Sequence, residues 1–290
     1  MKGDLKLTDK GFVMNERTLA IANEAILELG VPPHTVFDCL LPVYLGARKA
    51  SGFPYNLIGP PVKGGDFDEV LSQVRGSDGY RKLDELSRKH GAEAGVTAET
   101  RSRRGDLDCM MYVYRGNGEA LDRIDRLFRE GHHGAAEDGV SDHYLEAVRE
   151  TGRFLAYPAC CVDAYLPEKA ERLAGRDGSE KRASEQIREA GTGLSVPLII
   201  RASYFTSWFV PCEPGCSEAS RTGMSMLDAL GREDPGLREI YAKGMFPSNM
   251  KEIQEMNPLP SVLANNILFM KLTEGTEAMR RNRGKRRKRR

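Results

Sequence analysis

In the stretch Ala94-Gly-Val-Thr-Ala-Glu-Thr100, the helical spacing of the preceding residues gives way to alternation, and this change decides the fold. Its alternating pattern is typical of a β-strand, and the short aromatic run 109–115 predicts a second strand. A glycine-rich turn at 116–118 separates that strand from residues 119–130, whose apolar side chains recur at helical spacing. This order of elements predicts an α+β fold that is mostly helical, with a small mixed or antiparallel sheet.

Helical periodicity dominates the chain on both sides of this unit. The other predicted helices each present an apolar stripe and lie at 16–30, 34–51, 78–91, 217–231, 234–245 and 257–279. A loop rich in glycine and proline is predicted at 52–66. The charged segment 166–193 predicts a mobile helical excursion between two structured parts.

These elements divide the chain into four predicted segments. They are an N-terminal helical segment at 1–66, a small α+β unit at 67–131, a helical cysteine-motif region at 132–279 and a disordered basic tail at 280–290. No apolar run approaches the ~18 residues that span a bilayer. The first residues also lack the apolar centre of a signal peptide, so we expect a cytoplasmic protein that does not contact a membrane.

The charge of the chain is unevenly distributed. Lysine and arginine total 43, and aspartate and glutamate total 42. Residues 280–290 hold nine basic side chains and no acidic one, so the rest has 34 basic against 42 acidic residues and a charge of −8. A basic segment of this kind is typically disordered and solvated. It could also make weak contacts with nucleic-acid phosphates, whereas the acidic remainder is a poor binder of nucleic acid.

Two pairs of cysteines carry the most informative chemistry. Cys160 and Cys161 follow Pro158, which suits the first position of a helix, so the pair is predicted in a first helical turn where thiolates are favoured. Cys212 and Cys216 lie in a turn-rich stretch that contains two prolines and a glycine. Four sulfurs on short, stiff segments are the ligands that soft metals prefer, and they predict one four-cysteine site.

The occupant of this site has several interpretations. An iron–sulfur cluster is slightly favoured over zinc, because neighbouring cysteines are unusual zinc ligands but can each reach one corner of a large cluster. A thiol–disulfide redox pair and simple core packing are the alternatives. An enzyme would use the centre for electron transfer or as a Lewis acid, with an unknown small-molecule substrate or redox partner. A further alternative is a nucleic-acid-associated binding protein with a structural zinc site and the basic tail.

Other polar and sulfur-containing residues are weaker candidates. Cys39 and Cys109 lie in apolar contexts and are predicted to be core residues. The remaining candidates for a metal, proton-transfer or supporting role are Tyr157, Asp163, His132, His133 and His143.

The stretches Tyr157-Pro-Ala-Cys-Cys161 and Pro211-Cys-Glu-Pro-Gly-Cys216 resemble motifs of an uncharacterised prokaryotic, largely archaeal family, catalogued as domain of unknown function number 483. That family has Gly-Tyr-Pro-x-Cys-Cys followed by Pro-Cys-x-Pro-x-Cys, and residues 112–116 are also similar to it. The resemblance covers residues 35–230, and Ala156 stands where the family has glycine. Because the family has no established activity, the resemblance implies only that the four cysteines form one site.

Overall fold

The computed structural model describes residues 14–31, 35–62, 66–100, 107–132, 140–174, 197–206 and 209–244. Within these ranges the chain is mostly helical and has one small antiparallel sheet, so the predicted α+β class is confirmed. The predictions for 257–279 and for the tail at 280–290 lie outside the described residues.

The sheet contains three strands in the order β1-β3-β2. They are β1 (Ala50–Pro54), β2 (Glu93–Thr100) and β3 (Leu107–Tyr114). The central strand β3 pairs antiparallel with both neighbours, so that Met111 lies between Phe53 on β1 and Val96 on β2. All three side chains are buried, which places the core against this part of the sheet.

Strand β1 corrects the prediction of a helix over 34–51 followed by a loop over 52–66. The helical part ends early: a π-helical turn, Val36–Leu40, runs into the single turn of α2, Leu41–Tyr44. The chain then extends and pairs with β3, because burial of its apolar side chains outweighs the turn preference of its glycine and proline.

The two turn-forming residues of β1 fit an edge strand. Pro54 occupies the last strand position, where the missing N–H is tolerated. At Gly52 a Cβ atom would lie 3.1 Å from the ring of Tyr112. The absence of a side chain therefore lets this ring pack against the backbone of β1.

The described helices account for most of the remaining chain. They are α1 (Glu16–Leu29), α2 (Leu41–Tyr44), α3 (Phe67–Arg75), α4 (Asp78–Lys89), α5 (Gly118–His132), α6 (Asp142–Phe154), α7 (Ala159–Leu173), α8 (Leu198–Ala202), α9 (Ser217–Glu233) and α10 (Pro235–Gly244). Asn15, Ser77 and Ser141 cap α1, α4 and α6, each accepting a backbone N–H with its side chain. Helices α3 and α6 lie outside every predicted helix, and α7 continues to Leu173, inside the predicted mobile segment.

Helix α6 connects the sheet to the cysteine-bearing part of the fold. Helices α3, α4 and α5 contact β2, while α6 packs on α5 and α7 packs on α6. The ring of Phe154 at the end of α6 lies 5.7 Å from that of Tyr112 on β3. At Gly152 a Cβ atom would lie 2.5 Å from Val162, so the glycine permits a close approach of α6 and α7. The start of α7 is thereby fixed relative to the sheet.

Candidate metal centre

Helix α7 presents Cys160 and Cys161 in its first turn, as predicted. The carbonyl of Pro158 accepts hydrogen bonds from the N–H groups of Cys161 and Val162, each at 3.0 Å. The helix therefore begins directly after the proline. Just before it, Ala156 adopts a left-handed conformation with φ +58°, which reverses the chain between α6 and α7. This conformation costs a residue with a Cβ atom about 1–2 kcal/mol.

The second cysteine pair lies in a tight turn that leads into α9. Gly215 has a φ of +72°, and its N–H donates to the hydroxyl of Ser203 at 3.3 Å. The N–H of Cys216 donates to the carbonyl of Glu213 at 3.1 Å, which closes the turn. Cys216 is the residue directly before α9, so its sulfur also lies at a helix N-terminus.

The fold brings the four sulfur atoms together. The Sγ atom of Cys216 lies 3.7 Å from that of Cys160 and 3.7 Å from that of Cys161, which are 3.8 Å apart. The N–H of Cys212 points at the sulfur of Cys161 at 3.4 Å. All four Sγ atoms lie within 4.8 Å of one another, an arrangement compatible with a metal site.

The cluster has a protected side and an open side. Cys161 is only 1% exposed and Cys216 only 4%. Cys212 is half-buried, and Cys160 is exposed to solvent. An ion held by these sulfurs would therefore be covered by protein on most sides and be reachable next to Cys160.

The apolar surroundings disfavour four thiolates in the absence of a cation. Burial raises the pKa of Cys161 far above its usual range and that of Cys212 to about 11. Burial also opposes ionisation of Cys216, but hydrogen bonds from the N–H of Ala219 and from the neighbouring thiols outweigh it and lower its pKa. Bringing four thiolates this close requires a positive ion among them, since metal binding drives the deprotonation of its ligands.

Aromatic residues that precede the two cysteine motifs in the chain pack against one another. The partly buried ring of Tyr157 lies 4.7 Å from that of Phe209, which in turn lies 4.8 Å from that of Phe205. The guanidinium of Arg48 lies 5.6 Å from the centroid of Phe205. Burial raises the pKa of Tyr157, and the positive charge of Arg48 offsets part of this effect. Tyr157 therefore serves packing beside the cysteine motifs, and its hydroxyl is kept neutral.

Sequence reasoning missed Arg48. Its side chain is 8% exposed, one guanidinium nitrogen lies 3.4 Å from the hydroxyl of Ser51, and the Nη2 atom has no hydrogen-bond partner among the described residues. The segment around Arg48 carries no periodic signal for burial, because it is the turn between α2 and β1. Only the fold reveals a buried cation against the ring of Phe205.

The other acidic and histidine candidates lie apart from the cluster. Asp163 forms an ion pair with Arg149 at 3.6 Å, and His143 lies 3.4 Å from the carboxylate of Glu130. His133 lies outside the described residues. Within the described ranges, the potential metal ligands that the fold brings together are the four cysteines.

Three further candidates have packing roles. His132 shares a hydrogen bond of 2.9 Å with the hydroxyl of Thr100, and its ring meets Phe67 edge-on. Cys39 and Cys109 are both buried in the apolar core, which confirms their prediction as core residues.

Comparison with known proteins gives no further identification. None of the family models matches this chain, and neither the curated proteins nor the solved structures contain a match. The resemblance to domain of unknown function number 483 therefore stays a prediction. In the part of the chain that the structure describes, no helix is long and apolar enough to cross a bilayer.

Proposed function

We propose that this chain is a metalloprotein whose Cys160, Cys161, Cys212 and Cys216 bind one zinc ion as a tetrahedral four-thiolate site. The sulfur separations carry this proposal. A zinc–sulfur bond of about 2.3 Å in a regular tetrahedron gives sulfur–sulfur edges of about 3.8 Å. The three separations among Cys160, Cys161 and Cys216 are 3.7, 3.7 and 3.8 Å, so one ion fits between them without movement of the backbone.

An iron–sulfur cluster fits these separations less well. In a [4Fe–4S] cluster each cysteine binds a different iron, so the four cysteine sulfurs spread to roughly 6 Å. The sulfurs here all lie within 4.8 Å of one another. The neighbouring cysteines favour iron–sulfur on sequence grounds. The sulfur separations favour zinc, because a single ion needs closer sulfurs than a cluster does.

The proposed role of the ion is structural. All four tetrahedral positions are filled by protein sulfur, as in closed structural zinc sites, whereas catalytic zinc keeps one position for water or substrate. The ligands join the start of α7 to the turn before α9, and α9 in turn packs on α8 and α10. The ion would thus attach the helices after residue 197 to the sheet-containing part. Reduced ligands also favour a reducing compartment, and we propose a cytoplasmic location on that ground.

Elemental analysis of anaerobically purified protein tests the metal. We expect about one zinc per chain and no visible absorption. Replacement by cobalt should give the intense visible bands of a tetrahedral four-thiolate ion. Iron with acid-labile sulfide and broad absorption near ~400 nm would overturn zinc in favour of a cluster. Protein that was never exposed to chelator or oxygen and that contains no metal would overturn the whole proposal.

A second candidate function rests on the charge of residues 280–290. Nine basic side chains in this segment could bind nucleic-acid phosphates, while the remainder of the chain carries −8. Binding to a mixed-sequence duplex should then weaken steeply with added salt and disappear when 280–290 are deleted. Binding that survives the deletion or ignores the salt concentration contradicts this candidate.

A further inference from the structure

We propose that Cys160 is an oxidant-sensitive ligand: a hydroperoxide oxidises its sulfur, a disulfide with Cys216 follows, and the metal ion is released. This inference rests on the proposed zinc site and adds a modification to it. Cys160 is an exposed ligand, and the sulfurs of the buried ligands Cys161 and Cys216 lie 3.8 and 3.7 Å from its own.

Accessibility selects the sulfur that reacts. Cys160 is exposed, whereas Cys161 and Cys216 are 1% and 4% exposed. A hydroperoxide approaching from solvent therefore meets the sulfur of Cys160 first. Metal-bound thiolates keep nucleophilic character, and oxidation follows thiolate character and access. The core cysteines Cys39 and Cys109 are buried and offer no competing site.

Geometry selects the partner. A disulfide needs a sulfur–sulfur bond of about 2.05 Å and a dihedral angle near 90°. Cys161 lies 3.8 Å away but is the adjacent residue in the same helical turn, so bonding to it would distort the start of α7. The sulfur of Cys216 lies 3.7 Å away on a separate segment. Small movements of two side chains can therefore close a bond between Cys160 and Cys216.

The reaction balances with the hydroperoxide as the only oxidant. The Cys160 thiolate attacks one oxygen of the O–O bond and becomes a sulfenic acid, while the other oxygen leaves as hydroxide or alkoxide and takes up a proton from solvent to give water or an alcohol. The Cys216 thiolate then attacks the sulfenic sulfur and displaces hydroxide, which takes up a proton and leaves as water. The two sulfurs give up two electrons, and the O–O bond receives them. A dithiol reductant returns both cysteines to thiols.

Loss of two ligands leaves the ion with Cys161 and Cys212. Two sulfurs cannot complete a tetrahedral zinc site, so the ion is released. The new disulfide joins the same two segments as the ion did, because Cys160 lies in the first turn of α7 and Cys216 directly precedes α9. The oxidised protein therefore loses its metal while the connection between α7 and α9 persists.

The test uses the full chain loaded with zinc and a small excess of hydrogen peroxide. A chromogenic chelator reports released zinc, and a thiol count is taken after denaturation. We expect release of about one zinc per chain and a fall from six thiols to four, since the chain contains six cysteines. Peptide mapping should find the Cys160–Cys216 disulfide, and a dithiol with added zinc should restore the starting protein.

Two variants make the assignment specific. Cys160→His keeps a ligand that zinc accepts but cannot form a sulfenic acid, so its zinc release should be at least about tenfold slower. Cys109→Ala removes a cysteine outside the cluster and should release zinc as the unchanged chain does. If Cys160→His fails to bind zinc, the peptide map of the unchanged chain tests the inference by itself, because it shows whether Cys160 pairs with Cys216.

The outcomes separate this inference from the proposed function. Zinc that stays bound with six thiols intact, or a disulfide that involves Cys212 in place of Cys160, would overturn the inference and leave the zinc site standing. Protein that never contains a metal would overturn both.

Discussion

The three-stranded sheet and the cysteine cluster are stabilised in different ways. At the centre of the sheet, Met111 and Phe53 are fully buried and belong to the large apolar core. At the cluster, a few sulfurs are held close together by helix N-termini and tight turns, and their ionised forms repel one another without a cation. The sheet should therefore lose stability gradually as individual side chains are truncated, whereas the cluster should lose its metal completely when one ligand is removed.

The largest expected effect is the loss of the buried ligand in Cys161→Ser. A structural zinc ion contributes about 10–16 kcal/mol of binding free energy in small zinc peptides, and a hydroxyl replaces a thiolate poorly. We expect zinc per chain to fall to near zero and the melting temperature to drop to that of chelator-treated protein. Cys39→Ala, which changes a buried cysteine of the core, should keep its zinc. Normal zinc content in Cys161→Ser would contradict the four-thiolate site.

A sheet variant should have a smaller and separable effect. Met111→Ala empties a fully buried position at the centre of β3, and such truncations cost about 2–5 kcal/mol in the free energy of unfolding. The matched control is Met110→Ala on the same strand, whose side chain is only partly buried and should cost less than half as much. Chemical denaturation measures both, and zinc content should stay unchanged. Loss of zinc in Met111→Ala would show that the two regions are not independent.

The turn before α7 offers a stabilising change. Ala156 has a φ of +58°, and glycine adopts this conformation without a clash between Cβ and the backbone. We expect Ala156→Gly to raise the free energy of unfolding by about 1 kcal/mol. Ala170→Gly, inside α7, should lower it by about 1 kcal/mol. If both changes are destabilising, position 156 is not strained as described.

The smallest expected effect concerns pH and the sheet side of the molecule. Burial beside the ring of Tyr44 lowers the pKa of His90, although the carboxylate of Glu24 at 3.4 Å opposes the shift. The unfolded chain binds this proton near pH ~6.5, and the folded protein binds it only at lower pH. Stability should therefore be complete above about pH 6.5 and decrease as the pH falls through that value.

Replacement of His90 checks this dependence. His90→Gln should flatten the change in denaturation midpoint between about pH 7 and about pH 5. Zinc content is measured at each pH, because acid also protonates thiolate ligands and releases metal. An unchanged slope at constant zinc content would argue against a role of His90.

The sequence was most informative where contacts are local. Strands β2 and β3 follow each other in the chain, and α5 follows directly, so their periodicities alone predicted the unit. Strand β1 was missed because its pairing with β3 joins residues more than 50 positions apart, such as Ala50 and Tyr114, and no local pattern encodes that contact. Gly52 and Pro54 also favoured the prediction of a loop, because glycine and proline are typical of turns.

For the cysteine site, too, the local motifs were informative, whereas the long-range geometry could not be predicted from the sequence. Residue type and the turn-rich motifs sufficed to group Cys160 and Cys161 with Cys212 and Cys216. The sulfur separations could not be obtained in this way, because they depend on how α6 and the Ser203 hydroxyl position the two turns. The proposal of zinc in place of an iron–sulfur cluster rests on those separations. The burial of Arg48 against the ring of Phe205 could not be predicted from local sequence either.

A metal ion bound between α7 and the turn before α9 would also act as a cross-link in the chain. It would connect Cys161 to Cys212 across the 51 positions that separate them. The entropy of closing such a segment grows only logarithmically with its length, so doubling the number of residues would cost about 0.6 kcal/mol. Insertions and deletions between the two cysteine motifs should therefore be tolerated during evolution far better than changes of one residue within either motif.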